Sequence, residues 1–346
     1  MTNFAVVDLS SLFFRSRHGS AMDDIETRVG LGLHIIFRSL RKLYRELNVD
    51  HIVFAVDYGS WRRKVYPAYK SKRRLDRTKA TAKDQEENQL YFDALNDLVK
   101  YLDEHTRCTV LRANGIEGDD FVAAWIAKHP QDEHIIVSGD SDFIQLIAPN
   151  VRIYDAINQR MIAYDKITDA NNNRLEFSVN KKDGKIKIGK PDDVFVPEQD
   201  WWKKALFIKL IRGDISDSVF SAFPGVRYDG KKHSISGAWE DKYLQGYSWN
   251  NFMFQTWNKL MEDGSTKAVR VIDEFRINES IIDLTKQPED IIMKMDTTID
   301  EAITRMPPAG VGTYFLKFCR AHDLPSLEKE TEHVIYLNSP YKTKTL

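Results

Sequence analysis

The sequence has little cysteine, no long apolar run and no excess of either charge. Two cysteines in 346 residues, Cys108 and Cys319, are too few for a disulfide framework or a four-cysteine zinc site. No apolar run approaches the ~18 residues of a membrane span, so we expect no membrane association. With 50 Lys and Arg against 51 Asp and Glu, the chain is neither a polycation nor wholly disordered. The low cysteine content favours a reducing, cytoplasmic location.

The N-terminal half alternates between short apolar runs and stretches with helical spacing. Its first apolar segment, residues 4–14, carries Asp8 in its middle and lacks a basic leader, which predicts a strand and not a signal peptide. Continuous apolar strands separated by helices are typical of a parallel sheet that is covered on both faces. We therefore predict an α/β fold with a mostly parallel sheet and helices on both faces.

The pattern changes after residue 160. Two apolar segments, 175–179 and 186–188, flank Lys182-Asp183-Gly184 and predict a hairpin. From Trp201 onward the chain reads as mainly helical. We predict an α/β domain over residues 1–190 and a mainly helical domain with a tail over residues 191–346.

Three of the apolar strands stop at an aspartate, namely Asp8, Asp57 and Asp140. A single such residue is commonly a turn or helix-cap aspartate. The carboxyl ends of parallel strands, however, meet at one edge of the sheet, where α/β proteins bind their ligands. We expect these three carboxylates to converge there.

Further acidic residues are clustered at the starts of helices and after one helix. Acids at a helix N-terminus favour the helix dipole, which accounts for one or two of them per helix but not for so many. The complete set of candidate metal-binding carboxylates is Asp8, Asp57, Glu117, Asp119, Asp120, Asp140, Asp142, Asp214 and Asp217. Two carboxylates within about 4 Å repel by roughly 4 kcal/mol at an effective dielectric near 20. Because all the donors are oxygens, the set predicts hard cations, Mg²⁺, Mn²⁺ or Ca²⁺, and so many carboxylates suit a two-metal site for phosphodiester cleavage.

A strongly basic stretch begins five residues after Asp57. Residues 62–83 hold ten Lys and Arg and a single acid, with aromatic residues interleaved. A solvated loop is one interpretation, but basic and aromatic residues in alternation are also typical of phosphate contact and base stacking. We interpret the stretch as a basic arch beside the acidic site, an arrangement that suits a nuclease.

A glycine-containing turn is predicted at Ala222-Phe223-Pro224-Gly225-Val226, between two helices. Backbone N–H groups of such a turn can hold a DNA phosphate. Residues 225–232 resemble a nucleotide-binding P-loop only in part, because Lys232 stands where Ser or Thr is required.

Five segments in this order resemble the structure-specific 5′ nuclease, or flap endonuclease, superfamily. They are Val7-Asp8, Val56-Asp57 with the basic WRRKVYPAYKSKRR, Ile116–Asp120, SGDSDFIQL at 138–146, and GDISDSVFSAFPGVR at 213–227. Two later segments, WNNFM and IDLTKQP, are similar to the ribonuclease H (5′-3′ exonuclease) branch of T-even-type bacteriophages. The resemblance implies a PIN-like sheet, a basic arch over about residues 62–105 and a helix-hairpin-helix-like element in the C-terminal domain.

The resemblance also implies roles for individual residues. Asp8, Asp57, Asp119 and Asp140 would hold a first ion, supported by Glu117 and Asp120, and Asp142, Asp214 and Asp217 would surround a second. Lys70 and Arg62 would contact the scissile phosphate as catalytic residues. The residues expected to bind nucleic acid are Arg63, Tyr69, Lys72, Arg73, Arg74, Gly225 and Arg227.

By the same resemblance, the chain would be a monomeric Mg²⁺-dependent nuclease, with Mn²⁺ as a substitute. It would remove RNA primers and adjacent DNA from the 5′ ends or flaps of DNA and RNA:DNA duplexes during phage lagging-strand replication, in the cytoplasm of an infected bacterium. A single-stranded DNA-binding protein and a sliding clamp would be its partners. Two alternatives remain: a single-strand-specific PIN-type ribonuclease, and a DNA-binding accessory protein whose acids are structural.

Overall fold

The computed structural model describes residues 1–16, 25–179, 186–189, 200–229, 233–261 and 264–341. Its strands are β1 (Asn3–Asp8), β2 (His51–Ala55), β3 (Thr109–Leu111), β4 (Glu133–Val137), β5 (Val151–Asp155), β6 (Arg160–Ile162), β7 (Ile167–Thr168), β8 (Arg174–Val179), β9 (Ile186–Gly189), β10 (Thr256–Leu260) and β11 (Thr266–Arg270).

The helices of the N-terminal half are α1 (Leu9–Ser16), α2 (Ile25–Glu46), α3 (Arg62–Val65), α4 (Ser71–Thr78), α5 (Ala82–His105) and α6 (Gly118–Lys128), with a 3-10 helix at Ser141–Leu146. Those of the C-terminal half are α7 (Trp201–Arg212), α8 (Ile235–Glu240), α9 (Tyr247–Met253), α10 (Val271–Ile282), α11 (Glu289–Thr304), α12 (Val311–Ala321), α13 (Pro325–Glu328) and α14 (Glu332–Leu337). Within the described ranges, no helix has the length and apolar character that crossing a bilayer requires.

The central sheet confirms the predicted α/β fold. Its strand order is β3-β2-β1-β4-β5-β6-β7-β8-β9. The first five of these strands pair in parallel, and the remaining four pair antiparallel. The antiparallel pair β8–β9 is the predicted hairpin, although its turn at residues 180–185 lies outside the described residues.

Both faces of the parallel strands are buried, which explains why the strands are continuously apolar. Side chains alternate between faces along a strand, so Val7 packs with α2 and α5 while Val6 packs with α6 and α11. A third apolar core joins α7 to α10 and includes Tyr69 from the arch.

The last helices of the chain pack in other apolar cores than α7 to α10 do. Met295 and Ile299 of α11 join the core on one face of the sheet. Phe315 of α12 and Leu337 of α14 join the core on the other face. The predicted boundary, between residues 190 and 191, lies outside the described residues, so the division stays a prediction. The last helices pack against the α/β layer.

A further difference is the ribbon β10–β11, in a region that the sequence pattern predicts to be mainly helical. Thr256 to Leu260 pair antiparallel with Thr266 to Arg270. Gly264, with φ of +80°, lies in the connection, where a left-handed conformation favours glycine. The ribbon is too short and too exposed for apolar periodicity to reveal it.

Candidate active site

A cleft of about 490 Å³ opens where the parallel strands end beside the arch. Asp8 is the last residue of β1, and Asp57 and Asp140 follow β2 and β4 closely. Since both of these strands pair with β1 in parallel, their ends lie at the same edge. The carboxylates that line the cleft are Asp8, Asp57, Glu117, Asp119, Asp140, Asp142 and Asp217. The arch contributes the basic residues Lys70, Arg73 and Arg77.

The three strand-end aspartates have hydrogen bonds but no ion pair with any described residue. Asp8 accepts hydrogen bonds from the Ser11 backbone N–H (3.0 Å) and the Ser138 hydroxyl (3.2 Å). Asp57 accepts one from the backbone N–H of Gly118 at 2.6 Å. Burial, together with the charges of Asp57 and Asp140, raises the pKa of Asp8 to about 7. This edge of the sheet therefore gathers negative charge that the described chain leaves uncompensated.

Arg62 lies in a different position from the one expected of a phosphate contact. Its side chain is only 1% exposed, and its guanidinium forms salt bridges of 2.8 Å to both Glu117 and Asp120. Its Nε also donates to the carbonyl oxygen of Ile281 at 2.7 Å. Because these contacts bury the guanidinium, Arg62 joins the arch to the acidic cluster and to α10, and it does not face the cleft.

Asp120 is the one predicted metal-binding acid that is completely buried. Its side chain accepts hydrogen bonds from Arg62, from Trp61 Nε1 at 3.0 Å and from Gln287 Nε2 at 3.2 Å. Glu117, Asp119 and Asp120 can each bring one oxygen within 4.8 Å of the others. Because Arg62 already offsets the charge of Asp120, Asp120 supports the acidic site from its buried side.

Lys70 faces the cleft, as the resemblance implies. Its ammonium contacts Glu117 and lies 3.7 Å from Asp217. Burial alone would lower its pKa, but these two carboxylates raise the pKa of Lys70 above its ordinary value. Lys70 has a φ of 54°, and its backbone N–H donates to the backbone carbonyl oxygen of Asp217 at 2.7 Å, which joins the arch to the loop after α7.

Tyr69 was expected to contact nucleic acid, but it is only 3% exposed. Its hydroxyl lies 3.1 Å from both Glu117 and Asp217. A ring that is buried to this extent is not placed to stack on a base. The residue instead bridges two of the predicted acids.

The acids predicted for a second ion are already partly neutralised by Lys209, a residue that sequence reasoning missed. Its ammonium contacts Asp142 and lies 2.8 Å from Asp214. Burial alone would raise the pKa of Asp214, but Lys209 lowers it to about 2. Asp214 does not line the main cleft; it lies in a small adjoining cavity with Asp142 and Asp217. Lys209 precedes Asp214 by five residues on α7, and that spacing was the only available signal.

The remaining predicted nucleic-acid contacts divide into exposed and structural side chains. Arg63, Lys72, Arg73, Gly225 and Arg227 are exposed, and Arg73 forms an ion pair of 2.6 Å with the largely buried Asp217. Gly225 has a φ of +74°, which fits the predicted turn. Arg74 instead donates to the carbonyl oxygens of Tyr69 and Pro67, at 3.1 Å each, and so caps the base of the arch.

The strand-end carboxylates fit divalent metal ions. Asp8, Asp57 and Asp140 supply oxygen donors only and form no ion pair with a described residue, and burial and the neighbouring carboxylates raise the pKa of Asp8. Hard cations prefer such donors. Arg62 already pairs with Glu117 and Asp120, and Lys209 pairs with Asp142. The strand-end aspartates are therefore the part of the site that most requires an ion.

We expect Asp8→Asn to be more stable than the wild type at pH 8 in EDTA. The pKa of Asp8 is about 7 in the folded chain against 3.8 in its ordinary state. The proton therefore stabilises the fold fully below pH 3.8, and this contribution is lost as the pH rises through 7. A shift of this size corresponds to at most about 4 kcal/mol. Asn is uncharged at every pH; its amide oxygen can accept the Ser11 N–H, and its NH2 group can donate to the Ser138 hydroxyl oxygen.

Urea unfolding of both proteins in EDTA at pH 5 and pH 8 measures this effect. The stability advantage of Asp8→Asn is expected to grow between the two pH values. An advantage that is absent, or equal at both, would contradict the assigned environment of Asp8.

Comparison with known proteins finds sequence relatives for the N-terminal half of the chain. Residues 3–173 match the family model of the 5′-3′ exonuclease N-terminal, resolvase-like domain. The flap endonuclease Xni of Shewanella pealeana is 33% identical over 169 residues, which are 48% of this chain and 60% of that protein. Xni of Aeromonas hydrophila is 32% identical over 134 residues, covering 37% and 45%. The chain thus spans less than two thirds of the length of these curated relatives.

Solved structures show the same fold. The bacteriophage T5 flap endonuclease, crystallised as a pseudo-enzyme-product complex with DNA and metal ions, aligns with a TM-score of 0.54 at 15% identity, over 87% of this chain and 98% of its own. The T5 5′-exonuclease with bound zinc aligns with a TM-score of 0.55 at 16% identity, over 87% and 99%. At this identity the likeness concerns the fold alone. The family match and the sequence relatives therefore support a domain of the flap 5′ nuclease superfamily over residues 3–173.

Proposed function

We propose that this protein is a divalent-cation-dependent 5′ nuclease with 5′-3′ exonuclease and flap endonuclease activity. The observation that carries the proposal is the cleft in which seven carboxylates from separate parts of the chain face the basic residues of the arch. A polyanion is attracted to the arch, and the acids require cations before they can tolerate a phosphate. The relatives named flap endonuclease support the same activity.

The first ion is assigned to Asp8, Asp57, Asp119 and Asp140, with Glu117 and Asp120 in support. The second is assigned to Asp142, Asp214 and Asp217. Mg²⁺ is the proposed physiological ion, because the donors are all oxygens, and Mn²⁺ has the same preference. Ions bound there would supply an activated water and stabilise the leaving oxygen of a phosphodiester.

The chain's own residues position the substrate and the acids. Lys70 reaches into the cleft from the arch, where its charge can stabilise negative charge that develops on the phosphate. Arg62 and Tyr69 hold Glu117 in place from the buried side. In this proposal Lys70 is a catalytic residue, whereas Arg62 is a positioning residue.

The exposed basic residues and the Gly225 turn would hold the duplex. Arg63, Lys72 and Arg227 are exposed and suited to phosphate contact, which fixes orientation without reading sequence. The substrate would be a DNA or RNA:DNA duplex with a 5′ end or flap. The remaining parts of the proposal come from the sequence resemblance. They are primer removal in phage lagging-strand replication, a single-stranded DNA-binding protein and a sliding clamp as partners, a monomeric state, and the cytoplasm of an infected host. The curated relatives described above are bacterial.

Cleavage of 5′-labelled flapped DNA, RNA:DNA duplex and single-stranded RNA tests the proposal. We expect Mg²⁺-dependent release from the two duplex substrates and a rise in melting temperature with Mg²⁺, since the ions bind only the folded site. Full activity in EDTA would contradict the proposal. Cleavage restricted to single-stranded RNA would favour a PIN-type ribonuclease, and the absence of both cleavage and a thermal shift would favour a DNA-binding accessory protein.

A further inference from the structure

Two aromatic residues at the base of the arch, Trp61 and Tyr69, are too buried to stack on a substrate. Trp61 and Tyr69 are 5% and 3% exposed, and both direct their polar atoms to the buried acids. Base stacking, if the arch provides it, must come from another residue. Two aromatic residues line the acidic cleft, Phe143 and Phe92. Phe143 is 1% exposed and belongs to the core, whereas Phe92 is 37% exposed.

Phe92 lies on α5, the long helix that completes the arch. Asn88 precedes it by four residues, so both side chains lie on one face of the helix, and both line the cleft. Arg73 and Arg77 share a face of α4 by the same spacing and also line the cleft. The Arg77 guanidinium carbon is 5.9 Å from the centre of the Phe92 ring. The arch side of the cleft is therefore aromatic and cationic, whereas the sheet side is acidic.

These two sides suit the two parts of a nucleotide. A phosphate can approach the carboxylates only together with cations, but the face of a base is uncharged and stacks on an aromatic ring regardless of sequence. An arginine beside the ring can stack or bind a phosphate. The cleft volume lies in the range of small-molecule sites, which leaves room for one nucleotide.

We propose that Phe92 stacks on the base of the nucleotide whose phosphate enters the acidic site, with Arg77 beside it. This inference rests on the proposed function and adds a binding residue to it. Phe92 holds the nucleotide through its base, while the carboxylates and Lys70 act at its phosphate. Stacking of this kind is independent of base identity, as a nuclease that removes arbitrary sequence requires.

Matched substrates and variants test the stacking directly. Flapped duplexes would carry either a normal nucleotide or an abasic analogue at each position around the cleavage site. When the abasic analogue replaces the nucleotide that stacks on Phe92, the kcat/KM of the wild type is expected to fall about tenfold. Phe92→Ala should lose about as much on the normal substrate and nothing further on the abasic one, while Phe92→Trp should retain the wild-type pattern. Leu90→Ala is the control, because Leu90 is also 37% exposed on α5 but does not line this cleft.

A fluorescence measurement separates stacking from a structural role. With 2-aminopurine at the sensitive position, binding to Asp140→Asn is expected to quench the fluorescence, and binding to Asp140→Asn with Phe92→Ala is not. Equal loss by Phe92→Ala on both substrates, or unchanged quenching, would overturn the role of Phe92 while leaving the nuclease activity intact. Failure of the wild type to cleave any of the substrates would instead overturn the proposed function, and this inference with it.

Discussion

Asp140→Asn is expected to reduce cleavage at least about a thousandfold while binding of the duplex is largely retained. Asp140 lines the cleft and has no ion pair with a described residue. Asn has nearly the same shape, and its amide oxygen can still accept the backbone N–H of Asp142, which is 3.0 Å away in the wild type. The substitution removes the negative charge that attracts a cation. A thousandfold loss corresponds to about 4 kcal/mol of transition-state stabilisation, within what metal ions supply.

Single-turnover cleavage and equilibrium binding to a 5′-flapped duplex measure the two effects separately. Asp165→Asn is the matched control, since Asp165 is exposed outside the cleft and the change in net charge is the same. The control should cleave at the wild-type rate. If Asp140→Asn also cleaved at that rate, Asp140 would not belong to the metal site.

Lys70→Ala is expected to reduce the single-turnover rate about a hundredfold with only a small change in affinity. The Lys70 ammonium lies in the cleft between Glu117 and Asp217, whereas the other phosphate contacts proposed above come from exposed residues. An interaction that is stronger in the transition state than in the ground state lowers the rate more than the affinity when it is removed. Losses of about a hundredfold are typical for one electrostatic donor.

Lys72→Ala provides the comparison for Lys70, because both are arch lysines and only Lys70 lines the cleft. Lys72 is exposed, and its removal should weaken binding slightly and reduce the salt dependence of binding, with the rate at saturation unchanged. If Lys70→Ala and Lys72→Ala cleaved at the same rate at saturating substrate, Lys70 would act only as a general phosphate contact. In that case its catalytic role would be wrong.

The sequence predicted the sheet and the convergence of its strand-end acids because both depend on local patterns. Apolar runs such as residues 52–56 stop at an aspartate, and the topology of parallel strands then places Asp8, Asp57 and Asp140 at one edge. The basic stretch could also be recognised from its local excess of Lys and Arg. Neither prediction needed information about which distant residues pair.

The roles of Arg62, Tyr69 and Lys209 could not be predicted in the same way. Burial of a charged or polar side chain depends on its partners, and the partners of Arg62 are 55 and 58 residues away, at Glu117 and Asp120. A basic residue in a basic stretch looks exposed until those partners are known. The same holds for the packing of α11 to α14, because an amphipathic helix does not reveal which surface it will cover.

The central claim is that the strand-end aspartates form a divalent-cation site. Crystals soaked in Mn²⁺ and measured at the manganese absorption edge test it most directly. We expect an anomalous peak in the cleft, at about 2.0–2.3 Å from carboxylate oxygens of Asp8, Asp57, Asp119 or Asp140. A cleft without any peak at saturating Mn²⁺, or ions bound only elsewhere on the protein, would contradict it.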